Sequence, residues 1–122
     1  MVTVVVVENL RLVRESVVHA LSAAGDLSVV GHCAYGDAAV EIVLRERPDV
    51  VVVGQGLPGM DGAEMARHII EAWPGARILL HAADAAAERA VAAIISGVVA
   101  VALDNMSIET LIQTIRGVAD HQ

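Results

Sequence analysis

The run Arg47-Pro48-Asp49-Val50-Val51-Val52-Val53-Gly54-Gln55-Gly56-Leu57-Pro58-Gly59-Met60-Asp61-Gly62 decides how the chain folds. Four successive valines favour an extended strand, because β-branched side chains pack well on a pleated surface. Side chains alternate between the two faces of a strand, so Val50–Val53 is apolar on both. Strands of that kind lie in parallel sheets with helices covering each face. Pro48 on one side and Gly54, Pro58 and Gly59 on the other punctuate the strand.

Working outward, Val4-Val5-Val6-Val7 repeats the same two-sided apolar pattern. Val2–Val7, Leu27–Cys33, Val50–Val53, residues 78–81 and Val98–Leu103 therefore read as five strands. Between and after them, segments 10–24, 37–47, 63–73, 85–96 and 108–119 have helical spacing. In the first, Val13, Val17, Ala20, Leu21 and Ala24 share one face, with Arg11, Arg14, Glu15 and Ser22 on the other. The last carries Ile108, Leu111, Ile112 and Ile115 at i, i+3, i+4 and i+7, with Ser107 placed to cap it. Gly25-Asp26, Gly36-Asp37, Pro74-Gly75 and Ser96-Gly97 fall between elements. This alternation predicts an α/β, flavodoxin-like doubly wound (βα)5 domain with a five-stranded parallel sheet in the order 2-1-3-4-5. A ligand or catalytic site then falls at the carboxyl ends of the first and third strands, at Val7-Glu8-Asn9 and Val53-Gly54-Gln55.

Composition bounds the rest. The 122 residues are 56% hydrophobic and 19% charged, with a formal net charge of −7 and a mean hydropathy of +0.62. That suits a single domain over residues 1–122 with a real core, and excludes disorder. Tyr35 and Trp73 are the only aromatic residues, so the core is aliphatic. All eight basic residues are arginine; there is no lysine. Nucleic-acid binding by the domain itself would need clustered positive charge and is not expected. Cys33 is the only cysteine, which precludes an intrachain disulfide and points to a cytoplasmic protein. The uncharged stretch 90–103 falls short of the ~18 apolar residues of a membrane span, and the opening valines lack a basic leader. No membrane association is expected.

On Val4-Val5-Val6-Val7-Glu8-Asn9, Leu12-Val13-Arg14-Glu15, Arg47-Pro48-Asp49-Val50-Val51-Val52-Val53 and Leu57-Pro58-Gly59-Met60-Asp61-Gly62, the chain resembles a response-regulator receiver domain. The subfamily is the one that precedes a LuxR-type helix-turn-helix. Ala100 to Leu103 and the final amphipathic helix fit as well, so the resemblance covers essentially the whole chain. It implies two acidic residues holding Mg²⁺ after the first strand and an aspartate accepting a phosphoryl group after the third. It also implies a Thr or Ser ending the fourth strand, a Lys ending the fifth, and an aromatic switch residue within the fifth.

Carried over position by position, these fall on Glu8 and Asn9, Gly54, Ala82, Asp104 and Val101. Gly54 offers no carboxylate nucleophile. Glu8 alone is a poor Mg²⁺ site. Ala82 cannot hydrogen-bond a phosphoryl oxygen, Asp104 would repel one, and Val101 has no ring to swing. The pocket is therefore expected to be degenerate, with its Mg²⁺ site lost and no cofactor. Asp49 cannot substitute as acceptor, because it begins the third strand, ~16 Å from Gly54. Asp61 is expected to cap the following helix.

Other signals are weaker. Gly54-Gln55-Gly56-Leu57-Pro58-Gly59 spells GxGxxG, but it follows the third strand instead of the first, and Pro58 lacks an amide donor. His19, His32, His68, His81 and His121 show no zinc-ligand spacing. Segment 85–96 carries only Glu88 and Arg89 as charges; a packed Ala-rich helix and an interaction face explain it equally. Cys33 reads as a small buried hydrophobe. No nucleophile–base pair is visible, so no enzyme activity is expected.

The expected function is a phosphorylation-independent receiver serving as the regulatory and dimerisation module of a transcriptional regulator. A homodimer would form through the last helices and fifth strand or through the first helix. DNA would be bound only through a domain beyond residue 122. The alternatives are a pocket repurposed for a small-molecule effector, lined by Glu8, Asn9, Gln55, Asp84 and Asp104, and a stand-alone interaction adaptor.

Overall fold

The computed structural model describes residues 1–54, 56–57, 60–82, 98–103 and 106–120. Numbered along the chain, the main sheet contains β1 (Val2–Val7), β2 (Leu27–Cys33), β3 (Val50–Val53), β4 (Ile78–Ala82) and β5 (Val98–Leu103). The helices are α1 (Arg11–Ser22), α2 (Asp37–Glu46), α3 (Gly62–Ala72) and α4 (Ile108–Ala119). All sheet neighbours pair in parallel, in the order β2-β1-β3-β4-β5, as expected. The expected helix 85–96 lies outside the described residues. A short antiparallel pair, Gly56–Leu57 with Met60–Asp61, was not anticipated; it leads directly into α3.

The period-2 alternation of the valines sorts the core into two layers. Val5, Val7, Val51, Val53, Ile78 and Leu80 face α2 and α3, meeting Ala39, Val43, Ala66 and Ile69. Val4, Val6, Val50, Val52, Leu79 and Ala102 face the other way, against Leu21 of α1 and Ile115 and Val118 of α4. Each buried valine contributes about 1.5–3 kcal/mol by leaving water. No residue of β3 is solvent-exposed, so the strand has no side on which a helix can be omitted.

Polar contacts fix the amino ends of the central strands. Asp49 Oδ2 accepts hydrogen bonds from the amide and hydroxyl of Thr3 (2.8 and 3.2 Å), while the Asp49 amide donates to Thr3 Oγ1 (3.0 Å). Asp49 is thus a clamp at the end of the sheet opposite Gly54, as its place in the sequence implies. Ser107 caps α4, accepting from the Thr110 amide at 3.1 Å. Helix α1 departs from its expected polarity. Arg14 does not sit on the solvated face: its Nε is buried without a hydrogen-bond partner, and Nη1 donates to the Glu8 carbonyl at 2.7 Å. Leu12 is instead the residue left outside, 79% exposed.

A bidentate pair ties α4 to the turn before β2. Arg116 Nε and Nη2 donate to Oδ2 and Oδ1 of Asp26 at 2.7 and 2.8 Å. These bonds hold the Asp26 carboxyl below the usual carboxylate range. A carboxyl whose pKa is lower folded than unfolded adds stability above its unfolded pKa and loses it as pH falls through the folded value. Asp26→Asn is therefore expected to lower the melting temperature at neutral pH, with the gap to wild type closing as pH falls below the carboxylate range. Thermal unfolding at a series of pH values checks this; a gap that does not change with pH would mean that charge plays no part.

Candidate functional site

The carboxyl ends of β1 and β3 are neighbours, in register at Val7 and Val53. From this edge the chain leaves β1 toward β2 on one side and β3 toward β4 on the other, the point where doubly wound folds place their sites. Glu8 and Gly54 each stand one residue beyond a strand. Their backbones are pinned: the Gly54 amide donates to the Val7 carbonyl (2.8 Å) and the Glu8 amide to the Cys33 carbonyl (2.9 Å). Strand alternation places Glu8 with Val4 and Val6, on the α1/α4 side of the sheet.

Glu8 is 5% exposed, the one buried charged residue among those described. Its Oε1 accepts the Leu10 amide at 3.0 Å. Leu10 is the N-cap residue of α1 and supplies no side-chain cap, so the carboxylate satisfies an amide at the helix start, where negative charge is favoured. The other end of the carboxylate lies over Gly54. A Cβ built on Gly54 would overlap Glu8 Oε2 and Cδ and lie 3.1 Å from Oε1. Gly54 does not have a positive φ, so its backbone would accept any L-residue. A side chain at position 54 would meet only the carboxylate end of Glu8, a flexible side chain that would have to swing aside.

Asn9 and Tyr35 complete the described edge. Asn9 Oδ1 accepts the Tyr35 amide at 2.7 Å, and the Tyr35 hydroxyl donates to the Gly54 carbonyl. Tyr35 also packs on the α2/α3 layer beside Cys33. Cys33 is half-buried, less enclosed than the buried hydrophobe expected from sequence; what burial it has pushes its thiol up. Tyr35 was missed from sequence. The available signal was its place just after β2, where an apolar ring with a polar tip suits a half-buried edge.

Of the sequence-derived site residues, the structure brings together Glu8, Asn9 and Gly54. Ala82 ends β4, and Val101 lies within β5, half-buried. Gln55, Asp84 and Asp104 lie outside the described residues. Among the described residues, no group of three or more His, Cys, Asp or Glu side chains could hold a metal ion. Nor is any helix among them long and apolar enough to cross a membrane.

The sequence matches the response regulator receiver domain family over residues 4–116. The chain belongs to that family. It is 42% identical over 79 residues to the transcriptional regulatory protein NarL of Mycobacterium tuberculosis, a match covering 65% of this chain and 37% of that protein. A protein-glutamate methylesterase/protein-glutamine glutaminase of Syntrophus aciditrophicus is 39% identical over 83 residues, covering 68% of this chain and 24% of that one. The chain thus spans well under half of either relative. The solved signal receiver domain of M. tuberculosis NarL superposes with a TM-score of 0.83 at 30% identity, covering 99% of this chain and 98% of that one. The response regulator domain of Thermotoga maritima CheB gives 0.85 at 22% identity, covering 100% of this chain and 98% of that one, a likeness of fold alone.

The overlap at the receiver's edge makes a quantitative prediction. Gly54→Ala requires the Glu8 carboxylate to leave its buried seat and give up its bond to Leu10. The expected cost is about 1–3 kcal/mol. In a Glu8→Ala background the same substitution should cost almost nothing, giving a coupling of about 1 kcal/mol or more in a double-mutant cycle. Denaturant unfolding of the four proteins measures it; equal costs in both backgrounds would show that Glu8 is not the obstacle.

Proposed function

We propose that this receiver works without an aspartyl phosphate, as a regulatory and dimerisation module of a transcriptional regulator. One observation carries the reading: the Glu8 carboxylate fills the space above Gly54, where the family resemblance calls for the acceptor side chain. The chain has no carboxylate at position 54 to attack a phosphoryl donor, and the Glu8 carboxylate rests in the space such a group would use. The donor set does not fit Mg²⁺ either. That ion wants several oxygens in octahedral array. Glu8 is tied to Leu10, Asn9 Oδ1 is engaged by Tyr35, and Gly54 brings no side chain. Ala82 in place of a hydroxyl residue and Asp104 in place of a lysine support the same reading from sequence.

The domain so read has one resting conformation, with a buried carboxylate standing permanently where a phosphorylated receiver would gain negative charge. It carries out no catalysis itself, and DNA recognition belongs to another domain, as the transcriptional regulator NarL among its relatives suggests. Incubation with acetyl phosphate and Mg²⁺ followed by intact-mass measurement tests the proposal. No adduct is expected, and a stoichiometric phosphoryl adduct on the folded protein would overturn it.

For self-association, α1 is the favoured face of those considered. Leu12 is 79% exposed, and Leu10 and Val13 beside it and Ile108 at the start of α4 are also exposed. Leu12→Glu is expected to convert a dimer to monomer in sedimentation equilibrium without unfolding it. A dimer unaffected by that change would place the contact on α4 and β5.

A further inference from the structure

The α1/α4 layer of the core does not close at the carboxyl end of the sheet. A cavity of about 240 Å³ lies there. Val6, Val52, Leu79 and Ala102 rise from the strands as its floor, and Val17 of α1 and Leu111 of α4 stand among its walls. Strand alternation produces this: the side chains that share the even-numbered face of β1 and β3 end at Glu8 and Gly54, both of which line the cavity. Because Gly54 has no side chain, the carboxylate of Glu8 forms part of the wall.

That carboxylate is unusual in its company. It is almost fully buried, and among the described residues its one hydrogen-bond donor is the Leu10 amide, on Oε1. A carboxylate has about four acceptor positions. Arg14 bonds the Glu8 carbonyl and not its carboxylate; no described Arg lines the cavity, and His81 and Ser107 are the other described residues there with polar side chains. A buried carboxylate beside an apolar space is compensated best by a cation that brings its own N–H donors.

We propose that this cavity is a binding site for a small organic cation, a primary amine on a compact apolar body, with its ammonium group on Glu8 Oε2. Size sets the body. An apolar cavity of about 150 Å³ accepts benzene, so this one accommodates a ring with a short alkyl arm. Val13, at the rim and 36% exposed, marks the way in. The site shares Glu8 with the effector pocket expected from sequence around Glu8, Asn9, Gln55, Asp84 and Asp104. It does not depend on the phosphorylation reading: an acetyl-phosphate adduct would leave it standing, and failure to bind an amine would leave that reading standing.

Phenethylamine, with 2-phenylethanol and 3-phenylpropionate as neutral and anionic isosteres, tests it on the wild-type chain. Titration calorimetry is expected to show saturable 1:1 binding of the amine, about tenfold or more tighter than the alcohol, with no binding of the acid. Bound amine should raise the melting temperature, since the ligand binds the folded state. Glu8→Gln should erase the preference for amine over alcohol, and Val13→Trp, which plugs the mouth, should abolish binding of both. No saturable amine binding, equal binding of amine and alcohol, or amine binding untouched by both substitutions would each overturn the proposal. If Glu8→Gln does not fold, the amine-to-alcohol ratio on wild type and the Val13→Trp result decide it.

Discussion

Val50–Val53 has no side that can face water, and the architecture follows from that constraint. A four-residue strand with four buried valines must be flanked by strands and covered above and below. Its neighbours β1 and β4 repeat the condition, with Val4–Val7 and Ile78, Leu79 and Leu80 buried. The two valine layers then require one helix pair each, α2 with α3 and α1 with α4. Parallel pairing brings every strand's carboxyl end to one edge, and there the chain must turn away from a water-free sheet into helices. The edge is where polar groups of the backbone lose their ladder partners, and where the protein concentrates Glu8, Asn9, Tyr35 and Gly54.

What happens at that edge is decided by competition for one small volume. A side chain at position 54 and the carboxylate of Glu8 cannot occupy it together. With glycine at 54, Glu8 turns inward, caps the start of α1 through Leu10, and lies beneath the reach of bulk water. Tyr35 then bridges Asn9 and the Gly54 carbonyl, closing the edge from the other side. Glycine here is therefore a permissive residue for Glu8. The loss of a side chain at one strand end and the inward turn of a carboxylate at the next are two halves of one arrangement.

The strand runs and helix spacings were legible because each element states its own burial in its periodicity. Ser107 was legible as a cap, since the hydroxyl just before an apolar i, i+3, i+4 pattern has few other uses. The orientation of α1 was not. Periodicity placed Arg14 with the solvated residues, but the sheet edge offered the Glu8 carbonyl as an acceptor, and that bond, reaching back past the start of the helix, draws the guanidinium inward. The short pair Gly56–Leu57 with Met60–Asp61 was also invisible, because two-residue strands carry no period. Tyr35 looks like an isolated aromatic in the sequence; the placing of β1 between β2 and β3 brings it to Asn9 and the Gly54 carbonyl.

The sequence by itself determined the sheet, its order and the identity of the residues at its carboxyl edge, because alternation and punctuation are local and each valine run has one way to be buried. It also determined that position 54 has no carboxylate. Only the tertiary structure decided what fills the space instead. Glu8 and Gly54 are 46 residues apart in the numbering, and nothing local to either specifies that one side chain lies over the other's Cα. That follows from the β1–β3 register, set by valine packing along the whole length of both strands, and it turns an absent side chain into an occupied site with a cavity beside it.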